Sequence, residues 1–257
     1  MSTLSIKPQT HNIELPSINR VELTRPLVWL RMGWSDFLHD WPLSLATGAL
    51  FALLGYGLLT FAAPRPHLVM TLNTGFLAVS PFLAIVFYEL SRRREKPHTK
   101  VLFSGLLRNS RSIGLFAVML AFILSSWERL SAIMVALFLK SDVISGYPFA
   151  FTMLFSTEHM GFLIPYTLAA VVVGALVFSL SVVSLPMMID RKVDMATAIT
   201  TSLWVVRENP LTMLIWAVVI GVLTLLAEMA WLIPLAVIFP LLGHASWHAY
   251  RELVGRH

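Results

Sequence analysis

Six apolar stretches, each close to the length a bilayer demands, alternate with short polar connections along this chain. They cover residues 42–61, 68–88, 113–126, 161–186, 210–227 and 231–248. A helix needs ~20 mainly apolar residues to cross the hydrocarbon core, and in lipid only helices or closed barrels satisfy their own backbone. The third stretch is the shortest. It meets Trp127, Glu128 and Arg129, and the brief apolar piece 132–139 beyond them reads as an extension of that helix or as an outer-face segment. Composition agrees: 57% of the 257 residues are apolar and 13% charged, against about 45–50% and about 25% in soluble domains. The mean hydropathy is +0.75. These values exclude a soluble enzyme. The absence of cysteine excludes disulfides, thiolate nucleophiles and cysteine-held metal clusters.

Lysine and arginine set the orientation. Lys7, Arg20, Arg25 and Arg31 precede the first stretch, and Arg92, Arg93, Arg94, Lys96, Lys100, Arg108 and Arg111 follow the second. Arg191, Lys192 and Arg207 follow the fourth, and Arg251 and Arg256 close the chain. Sixteen of the 19 cations therefore fall on one side if there are six spans with both termini in the cytoplasm. Five or seven spans would strand one group on the wrong side. The start does not read as a signal peptide, because its first apolar run begins only near residue 43. Residues 1–23 are expected to form a disordered cytoplasmic tail ahead of one transmembrane domain, 24–257.

Within that domain a pattern recurs three times, in units of about 24–96, 97–192 and 193–252. Each opens on an amphipathic segment suited to the membrane interface. In the first, Leu27, Leu30, Trp34, Phe37, Leu38 and Trp41 recur at helical spacing, with Arg31, Asp36, His39 and Asp40 on the wet side. In the second, Leu102, Phe103, Leu106 and Leu107 share a face opposite Arg108 and Arg111. In the third, Met195, Ile199, Leu203 and Val206 form the stripe, Thr197, Thr200, Thr201 and Arg207 face water, and Asp194 is placed to cap the helix. Asp40-Trp41-Pro42, Arg108-Asn109-Ser110 and Glu208-Asn209-Pro210 then open the outgoing spans. Each returning span carries a proline: Pro81, Pro186 and Pro240. The second unit also holds an insertion over 140–160. The fold class expected is all-α: a six-span bundle of three interfacial-helix-plus-hairpin units.

The most specific string lies in residues 182–252. It reads Val-Val-Ser-Leu-Pro186-Met-Met-Ile-Asp190-Arg191, then Asp194, Ala198 and Asn209-Pro210, and closes on Pro240-Leu-Leu-Gly243-His244-Ala-Ser-Trp247-His248-Ala-Tyr250-Arg251. The chain resembles a bacterial family of predicted integral membrane proteins of unknown function, some members of which are labelled cytochrome c oxidase subunits. The resemblance implies a multi-pass protein of the bacterial inner membrane. The chain is not itself a haem–copper catalytic subunit, since only His244 and His248 of its eight histidines fall in a span.

Those two histidines share a helix face one turn apart and are the candidate metal or haem ligands. Asp190 and Glu89 stand at the same depth as further ligands. The competing reading places His244 and His248 with Trp247 and Tyr250 in an aromatic interfacial belt, and we favour it because a metal needs more than two ligands. Glu128 and Arg129 are the deepest charges, about 22 Å along a core of about 30 Å; they read either as an ion-path element or as headgroup residues beside Trp127. Glu228 reads as an exposed outer-loop carboxylate. Asp190 is expected to pair with Arg191 or Lys192. Gly48, Gly55, Gly57, Gly174 and Gly221 suit close helix packing. Arg92, Arg93, Arg94, Lys96, Trp34 and Trp41 are the expected lipid-headgroup contacts.

No nucleophile–base set, phosphate loop or complete metal site emerges, and no cofactor is expected. The reading is a non-catalytic inner-membrane protein: an accessory or assembly subunit of a larger membrane complex, respiratory in the first instance. A small transporter or channel-like homo-oligomer and a haem- or metal-binding redox subunit are the alternatives. The lipid bilayer and other membrane subunits are the expected partners, and nucleic acid is not.

Overall fold

A computed structural model describes residues 16–62, 81–95, 103–138 and 160–255. Most of the second apolar stretch, Lys96, the 140–160 insertion and residues 1–15 lie outside the described residues. What is described is helical: α1 (Arg25–His39), α2 (Trp41–Ala62), α3 (Ile85–Glu95), α4 (Ser104–Arg108), α5 (Ser110–Phe138), α6 (Met160–Ser181), α7 (Ser184–Asp190), α8 (Met195–Glu208), α9 (Pro210–Met229) and α10 (Leu235–Leu253). Four stretches among them are long and apolar enough to cross a membrane: Trp41–Leu58, Ser110–Phe138, Met160–Asp190 and Pro210–Met229.

Local chemistry accounts for the boundaries. Pro42 and Pro210 sit in the first turns of α2 and α9, where a missing N–H costs nothing. Asp194 caps α8 as expected, its Oδ1 accepting from the Thr197 N–H at 2.7 Å. The piece from Ala132 continues α5 rather than forming an element of its own. The fourth stretch breaks at Val182–Val183, so Pro186 lies in the separate helix α7.

The packed core sits at one end. Only 17–28% of the residues in each candidate span window are buried, as expected for helices whose other faces meet lipid. The main cluster instead joins Trp29 of α1, Phe87 of α3, Leu185, Met187, Met188 and Ile189 of α7, Val205 of α8, Trp216 of α9, and Ala245, Trp247 and Tyr250 of α10. The last helix is central, packed on α1, α2 and α3. Glycine permits both close crossings. A Cβ on Gly33 would stand 2.7 Å from the Ala245 backbone nitrogen, and one on Gly48 would collide with the Ala236 carbonyl. That carbonyl lies four residues before Pro240, which has no N–H to offer it. Gly57, Gly174 and Gly221 face open space and do not pack as expected.

The interfacial helices present three faces, not two. Around α1 the buried face is Pro26, Trp29, Gly33, Asp36 and Phe37. The next holds Leu27, Leu30, Trp34 and Leu38, of which Leu27, Trp34 and Leu38 are exposed, and the third holds Arg31, Ser35 and His39. In α8 the same order recurs in the same rotational sense: buried Ala198, Thr201, Ser202 and Val205, then Ile199, Leu203 and Val206, then Thr200 and Arg207. Asp36 and Thr201, expected on the wet side, are therefore buried. A two-sided helix can place a polar residue only in water, whereas these helices have a protein side, a lipid side and a water side.

Asparagine side chains grip backbone at two elbows. Asn109, between α4 and α5, donates to Met188 O at 3.2 Å and Val193 O at 2.8 Å, holding the lead into α8. Asn209, between α8 and α9, accepts from the Val21 N–H at 2.9 Å and donates to Asn19 O at 3.1 Å, holding the lead into α1. Residues 16–23, expected within the tail, are thus ordered. Ile18 forms a β-bridge with Val254, and Arg20 pairs with Glu208 at 2.7 Å.

Candidate functional site

Four helices bring polar side chains together at the packed end. Trp29 and Gly33 on the buried face of α1 carry Asp36 inward with them, and the Gly33 crossing lets α10 approach. Ser44 lies in the first turn of α2, Ser91 and Arg94 on α3, and His244 and His248 on α10. Ser44 and His244 are fully buried, and Asp36 is 4% exposed.

The bonds form one directed chain. Ser91 donates its hydroxyl to Asp36 Oδ2 at 2.6 Å. Its oxygen is then the acceptor for His244 Nδ1, 2.8 Å away. With the proton on Nδ1, neutral His244 presents a bare Nε2, which accepts the Ser44 hydroxyl at 3.0 Å. His248 donates from Nε2 to Asp36 Oδ2 at 2.8 Å, and Arg94 pairs with Oδ1. Burial works against the Asp36 carboxylate, but the hydrogen bonds from His248 and Ser91 outweigh it and hold the group at about 2. A cleft of about 370 Å³ opens beside this chain, lined by Met32, Ser35, Asp36, Ser91, Arg94, Glu95 and His248.

A second network joins the three returning helices. Glu89 accepts from the Gly105 N–H at 2.7 Å and pairs with Arg92 at 3.0 Å. Asp190 accepts from the Tyr250 hydroxyl and from Arg251, both at 3.0 Å, and Arg92 reaches it at 3.8 Å. Arg251 also pairs with Glu95 at 2.8 Å, and Trp247 donates to Glu95 at 3.1 Å. At the rim, Trp29 and Arg25 share Glu252.

These contacts revise several expectations. His244, Trp247 and Tyr250 are wholly buried, so they form no interfacial belt. His244 and His248 do share a face, but their partners are Ser44, Ser91 and Asp36 rather than Asp190 or Glu89. Both nitrogens of His244 are occupied by hydroxyls. Among the described residues no group of three His, Asp or Glu is arranged to hold a metal ion. Arg92 is 5% exposed and bound to Glu89, which removes it from the headgroup contacts. Arg94 divides between Asp36 and solvent, and Arg93 is half-buried. Trp34 and Trp41 do face outward. Glu128 is half-buried and Arg129 exposed; α5 runs two further turns past them, and Trp127 packs on Tyr166 of α6. Asp190 meets Arg191 at 3.9 Å but holds Arg251 more closely. Glu228 is half-buried in the last turn of α9 rather than open in a loop.

The Ser44–His244 pair has nucleophile-and-base spacing, yet Ser44 is sealed from any acyl or phosphoryl group. What the arrangement does is direct five hydrogen bonds, from four helices, onto or toward one carboxylate. Asp36, Ser44 and Ser91 were missed by the sequence reading. The available signal was Asp36 falling on the same helix face as Gly33 and Trp29.

This architecture, with its several apolar helices, is that of an integral membrane protein. Residues 68–190 match the model of a family described as predicted integral membrane proteins (DUF2189). The matched region holds the basic connection after the second apolar stretch, α5 and α6, and ends at Asp190; the closing string around His244 lies beyond it. No curated protein and no solved structure matches the chain.

Proposed function

We propose that the chain is a six-span protein of the bacterial inner membrane, with both termini cytoplasmic, built from three interfacial-helix-plus-hairpin units and serving as a non-catalytic accessory or assembly subunit of a larger membrane complex. The carrying observation is that Asp36, Ser44, Ser91, His244, His248 and Arg94 bond one another and tie α1, α2, α3 and α10 into one block. The network works as a fastening, and the span faces remain as contact surface. The repeat is supported by the three-face order common to α1 and α8 and by the equivalent grips of Asn109 and Asn209. The orientation is supported by the sixteen cations that six spans place on one side. A respiratory setting is the context that the family resemblance suggests.

The test is purification from membranes in mild detergent, with identification of co-purifying proteins. A stoichiometric set of membrane subunits is expected. A protein that stays alone, and moves a solute when reconstituted in vesicles, would overturn the reading.

A further inference from the structure

We infer that the outward apolar faces of α1 and α8 form a one-leaflet wedge whose partner is a convex, loosely packed lipid surface. The inference rests on the in-plane reading of these helices. Leu27, Trp34 and Leu38 on α1 are 67%, 44% and 53% exposed, and Leu203 on α8 is 44% exposed. Side chains of this size stay out of water only where something apolar covers them.

The occupant follows from continuity. After the single residue Asp40 the exposed apolar surface runs on through Trp41, Leu43 and Leu50 of α2; after Asn209 it runs on through Leu211 and Leu214 of α9. Those spans face acyl chains, so the adjoining faces of α1 and α8 meet the same lipid at the headgroup boundary. Arg31, Ser35 and His39 on α1, and Thr200 and Arg207 on α8, occupy the next face round, where headgroups and water lie.

Both helices sit at the end that holds the packed core and the starts of α2, α5 and α9. Apolar volume is therefore added to one leaflet, near its headgroups, with no counterpart described at the far end of the spans. Shallow insertion spreads headgroups and is favoured where they are already splayed. A convex leaflet on the α1 side is such a surface.

The test uses full-length protein, labelled at the C-terminus and reconstituted in vesicles of phosphatidylglycerol and phosphatidylethanolamine, selected for an outward-facing C-terminus. Protein per lipid is expected to be several-fold higher on small vesicles than on large ones. The variant Leu27→Ser/Trp34→Ser/Leu38→Ser should lose that ratio while keeping its melting temperature, because these side chains do not enter the core. Equal density of the wild type on both sizes, or equal enrichment of wild type and variant, overturns the wedge. Quenching by lipids brominated near the headgroup keeps the two ideas apart: a quenchable share that falls in Trp34→Phe upholds the in-plane reading even if the wedge fails, and an unchanged share defeats both.

Discussion

Ser91 and His244 meet at 2.8 Å inside the protein, and their proton directions are fixed by a third group. The single Ser91 proton goes to Asp36, so the contact can be a hydrogen bond only if His244 carries its proton on Nδ1. This makes His244 a neutral imidazole of one tautomer, with Nε2 as acceptor for Ser44. Nitrogen-15 NMR of histidine-labelled protein should show a protonated Nδ1 and a bare Nε2 for this residue. Ser44→Ala should leave that tautomer in place and cost about 1 kcal/mol, since one buried acceptor loses its donor. The opposite tautomer would reverse the chain of donors.

Asp36 gives the structure a pH dependence of known sign. Its folded value of about 2 lies below the ordinary 3.8. The stability it contributes is therefore fully present above about pH 4 and is lost as pH falls toward 2. The displacement corresponds to roughly 2 kcal/mol. Asp36→Asn should melt earlier than wild type at neutral pH, and the gap should narrow over the acid range. A gap that stays constant down to pH 2 would show that the carboxylate charge contributes nothing.

Two glycines should respond oppositely to alanine. Gly48 has the Ala236 carbonyl where a Cβ would go, and neither backbone can yield cheaply. Gly48→Ala should cost about 1–3 kcal/mol through overpacking. Gly57 lies in the same helix under open space, and Gly57→Ala should be neutral or stabilising by up to about 1 kcal/mol. Thermal unfolding of the two variants in one detergent compares them directly.

Arg92→Ala removes the buried partner of Glu89 and leaves that carboxylate with the Gly105 N–H alone among the bonds described above. A loss of about 3–5 kcal/mol is expected, as for other buried pairs broken on one side. Arg31→Ala, on the exposed face of α1, should change stability by less than about 0.5 kcal/mol. The difference between the two melting curves measures how far the basic residues of this end are structural rather than lipid-facing.

Much of the architecture was legible because it rests on local rules. The apolar lengths placed α2, α5, α6 and α9, and Asp194 and Pro210 marked helix starts. The outward stripe of Leu27, Trp34 and Leu38 followed from helical spacing. The site was not legible. Asp36 is 55 residues from Ser91 and 212 from His248, and nothing local to α1 distinguishes a buried aspartate from a solvated one. Arg92 likewise sits in an Arg-Arg-Arg run that signals topology, yet helix geometry turns one of the three inward to Glu89, three residues back. His244 and Tyr250 carried the aromatic signature of an interface, but the Gly33 and Gly48 crossings bring α1 and α2 over them.

The claim that the His244 network is a fastening and not a cofactor site is tested most directly by comparing wild type and His244→Ala after purification in mild detergent. Optical spectra, metal content and melting temperature should be measured on the same samples. The variant should lose about 2–4 kcal/mol, from a buried cavity and two hydroxyls left without partners, with spectra and metal content unchanged between the two proteins. A haem band or a stoichiometric metal present in wild type and absent from the variant would contradict the account.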